Sequence, residues 1–370
     1  MTSEAKAYQF LDRVMDRRAT GSTRRLVRSY VGGPLARKHY TDSVTYDDAL
    51  VIDAYIAAGT RSAIRRARAI ANALVFIQRH DPIGDGRIRA AYAPRPLTST
   101  ASIRVRDRTS DVGNMAWVGM ALARTASVTG DHTYLRAAVR IGKWVHKHCR
   151  DTRGPGGYTG GVTGHGRLIR WKSTEHNLDL YGLFEMLAAA GRSRFATDAA
   201  WARTFVGQMW SSTAHRFYVG TRTDGRTVND DEQPEDVNSW AQLSLRDVRF
   251  DRAVDWDVRH LAVTGRFDGV SFCSGDRSGV WFEGTAHLAD ALEQRDAVGD
   301  AKRAAAYLSD IRFAQRHGHN SDGRGVIAAS KNRLGDCDGG RYFSSMHTGA
   351  TAWYILALKS VDPFTPLAAH

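Results

Sequence analysis

Seven carboxylates stand at or just inside the starts of otherwise apolar helical stretches: Asp47, Asp48, Asp111, Glu175, Asp179, Asp236 and Glu283. Two carboxyl groups whose surroundings set their pKa values apart can act as proton donor and proton acceptor in one reaction. Glu283 is the expected donor. It lies between Trp281-Phe282 and Gly284, so an apolar wall is predicted to raise its pKa, and the glycine to leave room for a ligand. Asp111 and Glu175 are its expected catalytic partners, although both are also residue types that favour helix starts. His176 and His347 occupy two of the same starts, and imidazole titrates near neutral pH, so His176 joins the catalytic set as a proton carrier. Asp47, Asp179, Asp236 and His347 are expected to bind substrate with the aromatic residues Tyr46, Trp171, Trp240 and Trp281. Trp117, Tyr181 and Trp353 lie near the same starts and are expected in the core. Arg87, Arg170 and Arg341, on intervening loops, are the cations available to a substrate carboxylate or phosphate.

The clearest of these starts is Trp171-Lys172-Ser173-Thr174-Glu175-His176-Asn177-Leu178-Asp179. Ser173 or Thr174 supplies an N-cap, and Glu175 and Asp179 favour the positive end of the helix dipole. Standing four apart, these two carboxylates share one face. Leu178, Tyr181, Leu183, Phe184, Met186 and Leu187 then make the helix apolar on most sides, as a buried helix is.

Five other stretches begin in a similar way. Taking the first polar residue of each gives Asp47, Asp111, Glu175, Asp236, Glu283 and His347, with successive separations of 64, 64, 61, 47 and 64 residues. A period this regular marks a repeat architecture. Each unit reads as an apolar helix, a more polar helix and a long loop; the loop at 154–166 alone holds seven glycines. Five pairs run in order. The sixth apolar helix, near the C-terminus, has no successor, and an amphipathic helix predicted over residues 4–18 is free to partner it. The expected fold is therefore all-α: an (α/α)6 toroid formed by residues 1–370 as a single domain, with the N-terminal helix pairing with the C-terminal inner helix. Parallel inner helices would gather their N-termini, dipoles and polar residues on one face.

In this arrangement, and in the motifs Thr-Tyr-Asp-Asp-Ala-Leu, Ser-Thr-Glu-His-Asn and Trp-Phe-Glu-Gly-Thr-Ala, the chain resembles the six-hairpin glycosidase-like proteins. The resemblance covers the whole chain at the level of architecture. It implies a site in the funnel at the inner-helix N-termini and chemistry on sugars. The expectation is a glycoside hydrolase using Glu283 with Asp111 or Glu175 on a small-molecule or oligosaccharide substrate, since such hydrolysis needs two carboxyl groups across the sugar. The alternatives are a sugar epimerase, isomerase or lyase with His176 or His347 as base, and a glycan-binding protein without catalysis. A remote one is a metal-dependent terpene cyclase-like enzyme, through Asp230-Asp231-Glu232 and Glu235-Asp236.

Composition narrows the rest. The net charge of +13 comes from 52 Lys+Arg against 39 Asp+Glu, yet the arginines are spread over every segment and no nucleic-acid motif appears. No nucleic-acid partner, membrane partner, cofactor or metal is expected, and the chain reads as a monomer. No run approaches the ~18 apolar residues of a membrane span. Without a signal-peptide core the chain reads as cytoplasmic, or as secreted once a signal has been removed. The three cysteines, Cys149, Cys273 and Cys337, lack metal spacing, and the odd count makes buried thiols the default, with Cys273–Cys337 the one pairing left open.

Overall fold

The computed structural model describes residues 1–16, 23–231 and 233–367. Its helices in chain order are α1 Ser3–Asp16, the short α2 Gly33–Arg37, α3 Thr45–Ala58, α4 Arg61–Arg79, α5 Val112–Thr129, α6 His132–Cys149, α7 Thr174–Ala189, α8 Phe195–Gln208, α9 Asp236–Leu245, α10 Arg252–His260, α11 Phe282–Arg295, α12 Asp300–His317 and α13 Thr348–Leu358. Helices α3, α5, α7, α9, α11 and α13 pack each on the next, and α13 returns to α3, closing the (α/α)6 ring. Their sequences explain their place. Ten of the eleven residues of α13 are buried, which only a helix surrounded by others tolerates. The outer helices are amphipathic: α4 buries Ala63, Ala67, Ile70, Ala71 and Leu74 and turns Arg61, Arg65 and Arg68 to solvent. No helix among the described residues is long and apolar enough to cross a membrane.

The sixth outer position belongs to α1, as expected. Ala7, Phe10 and Leu11 are fully buried, and Ser3 Oγ lies 2.9 Å from the Tyr354 hydroxyl on α13. Tyr8 donates to the carbonyl of Ala54 (2.9 Å), and Tyr55 donates to Asp12 (2.8 Å), tying α1 to α3 as well. Residues 17 and 18 of the predicted first helix lie outside the described residues. The outer helix α10 stops at His260, because Ala262–Val263 pairs with Gly269–Val270. After α13 the chain turns back into the ring, where Phe364 packs 5.1 Å from Trp117 and 5.8 Å from Trp240.

The loops are not irregular where they matter. The chain one or two residues before each inner helix is held in a short antiparallel pairing: Ser43–Val44 with Ala91–Tyr92, Ser110–Asp111 with Gly161–Val162, Ser173 with Gly220, Pro234 with Cys273, Trp281 with Ala329, and Met346–His347 with Tyr30–Val31. Two glycines permit this. Gly161 (φ 117°) and Gly220 (φ 142°) occupy conformations that side-chain-bearing residues avoid, and a Cβ would fall 2.2 Å from Ser110 O and 1.9 Å from Lys172 O. Gly220→Ala is therefore expected to cost about 2–3 kcal/mol. Gly191, also at positive φ but with open space around it, should cost only ~1 kcal/mol on the same change. Equal shifts of melting temperature in the two variants would remove the close approach as the cause.

One expectation is corrected here. Cys273 and Cys337 are disulfide-bonded, with Cα atoms 6.3 Å apart, and only Cys149 is a buried thiol. An odd count leaves one cysteine over; it does not forbid a pair.

Candidate active site

The inner-helix N-termini surround a cavity of about 270 Å³. Helix α3 contributes Tyr46 and Asp47; α5 and its cap contribute Asp111, Asn114 and Trp117; α7 contributes Glu175 and His176. From α9 come Asp236 and Trp240, from the start of α11 Trp281 and Glu283, and from the cap of α13 His347. Tyr30, Phe272 and Tyr342 reach in from the loops.

Glu283, buried at the start of α11, is the best-connected group. The Tyr46 hydroxyl donates to its Oε1 (2.8 Å) and is itself held by the Trp353 indole N–H (2.8 Å). His347 Nδ1 lies 3.1 Å from Glu283 Oε2, while Nε2 lies 3.3 Å from Asp47 Oδ1. Burial opposes a charge on this imidazole, but Asp47 and Glu283 outweigh it and hold the proton up to a pKa of about 10. His347 Nδ1 is also 3.3 Å from Ala350 N–H, but a protonated ring has no lone pair to accept there, so the carboxylate contact prevails. Gly349 makes the cluster possible: a Cβ would sit 2.6 Å from Asp47 Oδ1 and 3.1 Å from Glu283 Oε1. Both Glu283 oxygens thus face donors. That environment suits an anion, and not the proton donor expected from its apolar neighbours in sequence. Nor does Gly284 open space for a ligand, because the Trp281 ring fills it (2.2 Å to a Cβ).

Asp236 is set the other way. It is 4 % exposed, its Oδ1 has no hydrogen-bond partner among the described residues, and burial together with Glu283 pushes its pKa up to about 7. Burial and then Asp236, Asp179 and Asp111 hold Glu175 well above the usual carboxylate range. His176 is driven the opposite way, to the neutral form, chiefly by burial, and its Nδ1 is without a partner among the described residues. It fits over Gly113, where a Cβ would come within 2.5 Å of the ring.

Other expected residues fall into supporting positions. Asp111 is the N-cap of α5, accepting from Asn114 N and Asn114 Nδ2 (both 2.8 Å), although its side chain reaches the cavity wall. Asp179 is fully buried behind Glu175, and Trp171 packs against His176 (5.5 Å) without lining the cavity. Asp48 accepts from Val27 N and Ser43 Oγ (2.8 Å each) and ties down the chain before α3. The arginines do not reach the site: Arg87 is locked to Asp85 (2.7 Å), and Arg170 and Arg341 are exposed outside it. Asp230 and Asp231 are paired with Arg222 (3.4 and 3.0 Å), which leaves little of an acidic metal-binding loop; Glu232 lies outside the described residues. Sequence reasoning missed Tyr30, Phe272 and Tyr342, which sit on loops without a periodic pattern. It also missed the buried Glu235–His287 pair (3.1 Å), whose Nε2 points 4.0 Å from Glu283 Oε1. The signal for His287 was present, four residues after Glu283 on one helix face.

Asp236 and His347 each contribute a pH dependence of stability. A raised folded-state pKa means that stability is lost as pH rises through it: Asp236 from ~4 to about 7, and His347 from ~6.5 to about 10. Thermal stability should therefore fall by a few kcal/mol between pH 7 and 10, and His347→Gln should flatten that slope. A slope unchanged in the variant would mean that His347 does not carry it.

No protein-family profile and no curated protein matches the sequence. Solved structures share the fold at low identity. Cellobiose 2-epimerase from Bacillus thermoamylovorans B4167 aligns with a TM-score of 0.71 at 8% identity, over 96% of this chain and 97% of that one. An inactive variant of an alpha-1,6-mannanase of Salegentibacter sp. HEL1_6, in complex with alpha-1,6-mannotriose, aligns at 0.65 and 13% identity, over 98% and 100%. A novel alpha-amylase from Clostridium perfringens aligns at 0.67 and 10% identity, over 97% and 98%. The fold is thus the six-hairpin toroid of these structures.

Proposed function

We propose that this chain is a glycoside hydrolase in which Asp236 is the proton donor and Glu283 the anionic partner facing the anomeric carbon. One observation carries the reading: two carboxyl groups of a single cavity have opposite surroundings, one without a hydrogen-bond partner at Oδ1 among the described residues and the other between two donors. Asp236 is buried with a free Oδ1 and a pKa of about 7, whereas Glu283 is held between the Tyr46 hydroxyl and the His347 imidazolium. That is the division of labour glycoside hydrolysis requires. Asp236 gives its proton to the departing glycosidic oxygen, and Glu283 balances the positive charge that develops on the sugar ring. Asp47 and Tyr46 orient His347 and Glu283, Glu175 presents a second carboxyl to the sugar, and Trp240 and Trp281 offer apolar ring faces. Among proteins of this fold, those described as an amylase and a mannanase act on sugars, which supports the substrate class.

Asp236→Asn tests the assignment on a panel of glycans. Natural substrates should lose ~10²–10⁴-fold in kcat, while aryl glycosides with good leaving groups, needing no proton, should lose far less. Equal losses on both substrate kinds would exclude Asp236 as donor.

A second reading, a sugar epimerase or isomerase, rests on His176, a neutral imidazole with an unpartnered Nδ1 in the same cavity. It predicts solvent deuterium at a carbon of a reducing sugar, abolished by His176→Gln. Release of new reducing ends without such exchange favours the hydrolase. The Cys273–Cys337 disulfide supports an oxidising compartment over the cytoplasm expected from the N-terminal residues.

A further inference from the structure

The chain carries a formal charge of +13, yet its funnel is acidic. Asp47, Asp111, Glu175, Asp236 and Glu283 line the cavity, and no lysine or arginine lines it among the described residues. His347 is the one cation the geometry supplies, and it is already shared by Asp47 and Glu283. A second cavity of about 480 Å³ carries Asp231, Asp336 and Asp338, of which Asp231 is paired with Arg222 (3.0 Å). Asp338 is near enough to act electrostatically on Glu175 and Asp236.

Hydrolysis uses two carboxyl groups, so the others are left to explain. Burying a carboxyl without a partner is costly, and a folded protein normally satisfies it. Here Asp236 Oδ1, nine-tenths buried and on the cavity wall, has no partner among the described residues, and neither do the indole N–H groups of Trp240 and Trp281 on the same wall. The aromatic walls are continuous. Trp240 stands 6.3 Å from Tyr46, and Trp281 stands 4.6 Å from Phe272 and 5.6 Å from Tyr342. Carboxylates beside aromatic faces form a site for an organic cation, through charge pairing and through the ring quadrupoles. A metal ion fits less well: among the described residues no three His, Cys, Asp or Glu are grouped to hold one.

Resting on the sugar-processing reading above, we propose that the funnel takes a glycan bearing a free amino group, its ammonium paired with Glu175 and set against the Trp240 and Trp281 rings, where the unpartnered Asp236 Oδ1 accepts from it while Asp236 keeps its proton. A substrate carboxylate or phosphate would find only His347 as a cation on this wall, and Asp47 and Glu283 already share it.

The test is calorimetric titration of the full chain with glucosamine, galactosamine and mannosamine against glucose, galactose, mannose, N-acetylglucosamine and glucuronate. At least one amino sugar should bind about tenfold or more tightly than its parent hexose. Its affinity should drop between ~50 and ~500 mM NaCl. Binding should also release a proton, seen as a dependence of the heat on buffer ionisation enthalpy, because an ammonium favours the ionised form of Glu175, which burial and crowding keep protonated. A parent hexose, N-acetylglucosamine or glucuronate binding as tightly as every amino sugar overturns the inference, and so does binding by none of them. Amino-sugar preference without cleavage of any amino-glycan leaves this inference standing and removes the hydrolase assignment. Cleavage of neutral or acidic glycans without that preference does the reverse.

Discussion

Glu283→Gln should lower kcat by at least about a thousandfold while leaving the fold intact. The amide keeps the size of the carboxylate, and its oxygen can still accept from the Tyr46 hydroxyl at the position of Oε1. What disappears is the negative charge facing the reacting sugar and one of the two anions that hold the His347 proton. His347 should therefore titrate below its present value of about 10, because Asp47 alone must then offset its burial. Two independent readouts follow: turnover, and the imidazole titration followed by NMR. A normal kcat would remove Glu283 from the mechanism. A lost kcat with an unmoved His347 titration would mean that the contact between the Glu283 carboxylate and the His347 ring does not set the proton's place.

Deleting residues 1–16 should have the largest effect on stability, although none of the proposed site residues lies there. The deletion strips the outer layer from α13 and uncovers part of α3, exposing the partners of Ala7, Phe10, Leu11 and Val14. The apolar surface of each of the three larger side chains is worth ~1.5–3 kcal/mol before ordering costs. Together they are comparable with the ~5–15 kcal/mol net stability of a typical domain. Tyr55 would also lose Asp12, the acceptor of its hydroxyl. Insoluble protein, or a melting temperature lowered by many degrees, is the expected result. A truncated chain that melts within a degree or two of the full one would show that α1 is not what closes the ring. His347 caps the same α13, so a destabilised α13 should also loosen the Glu283–His347 contact and lower activity before global unfolding.

The sequence by itself determined the ring and the face that carries the site. A separation near 64 residues between polar helix starts, inner helices apolar on every side and outer helices apolar on one are local properties, and burial converts each directly into a layer. Capping chemistry is equally local, so Asp111 and Ser173 could be assigned to the first turns they hold. Tertiary structure decided which carboxyl faces hydrogen-bond donors and which is buried with an oxygen unpartnered among the described residues. The neighbours in sequence of Glu283 are apolar, but its neighbours in space are Tyr46, 237 residues away, and the His347 imidazolium; Asp236 instead has burial and Glu283 itself. A pKa is set by whatever lies within a few ångströms, and in a closed ring those groups arrive from all six inner helices. The same reason explains the Cys273–Cys337 bond, which joins loops 64 residues apart, and the arginines that stay outside. Their spacing in sequence does not encode which loops the short pairings at each helix start bring together.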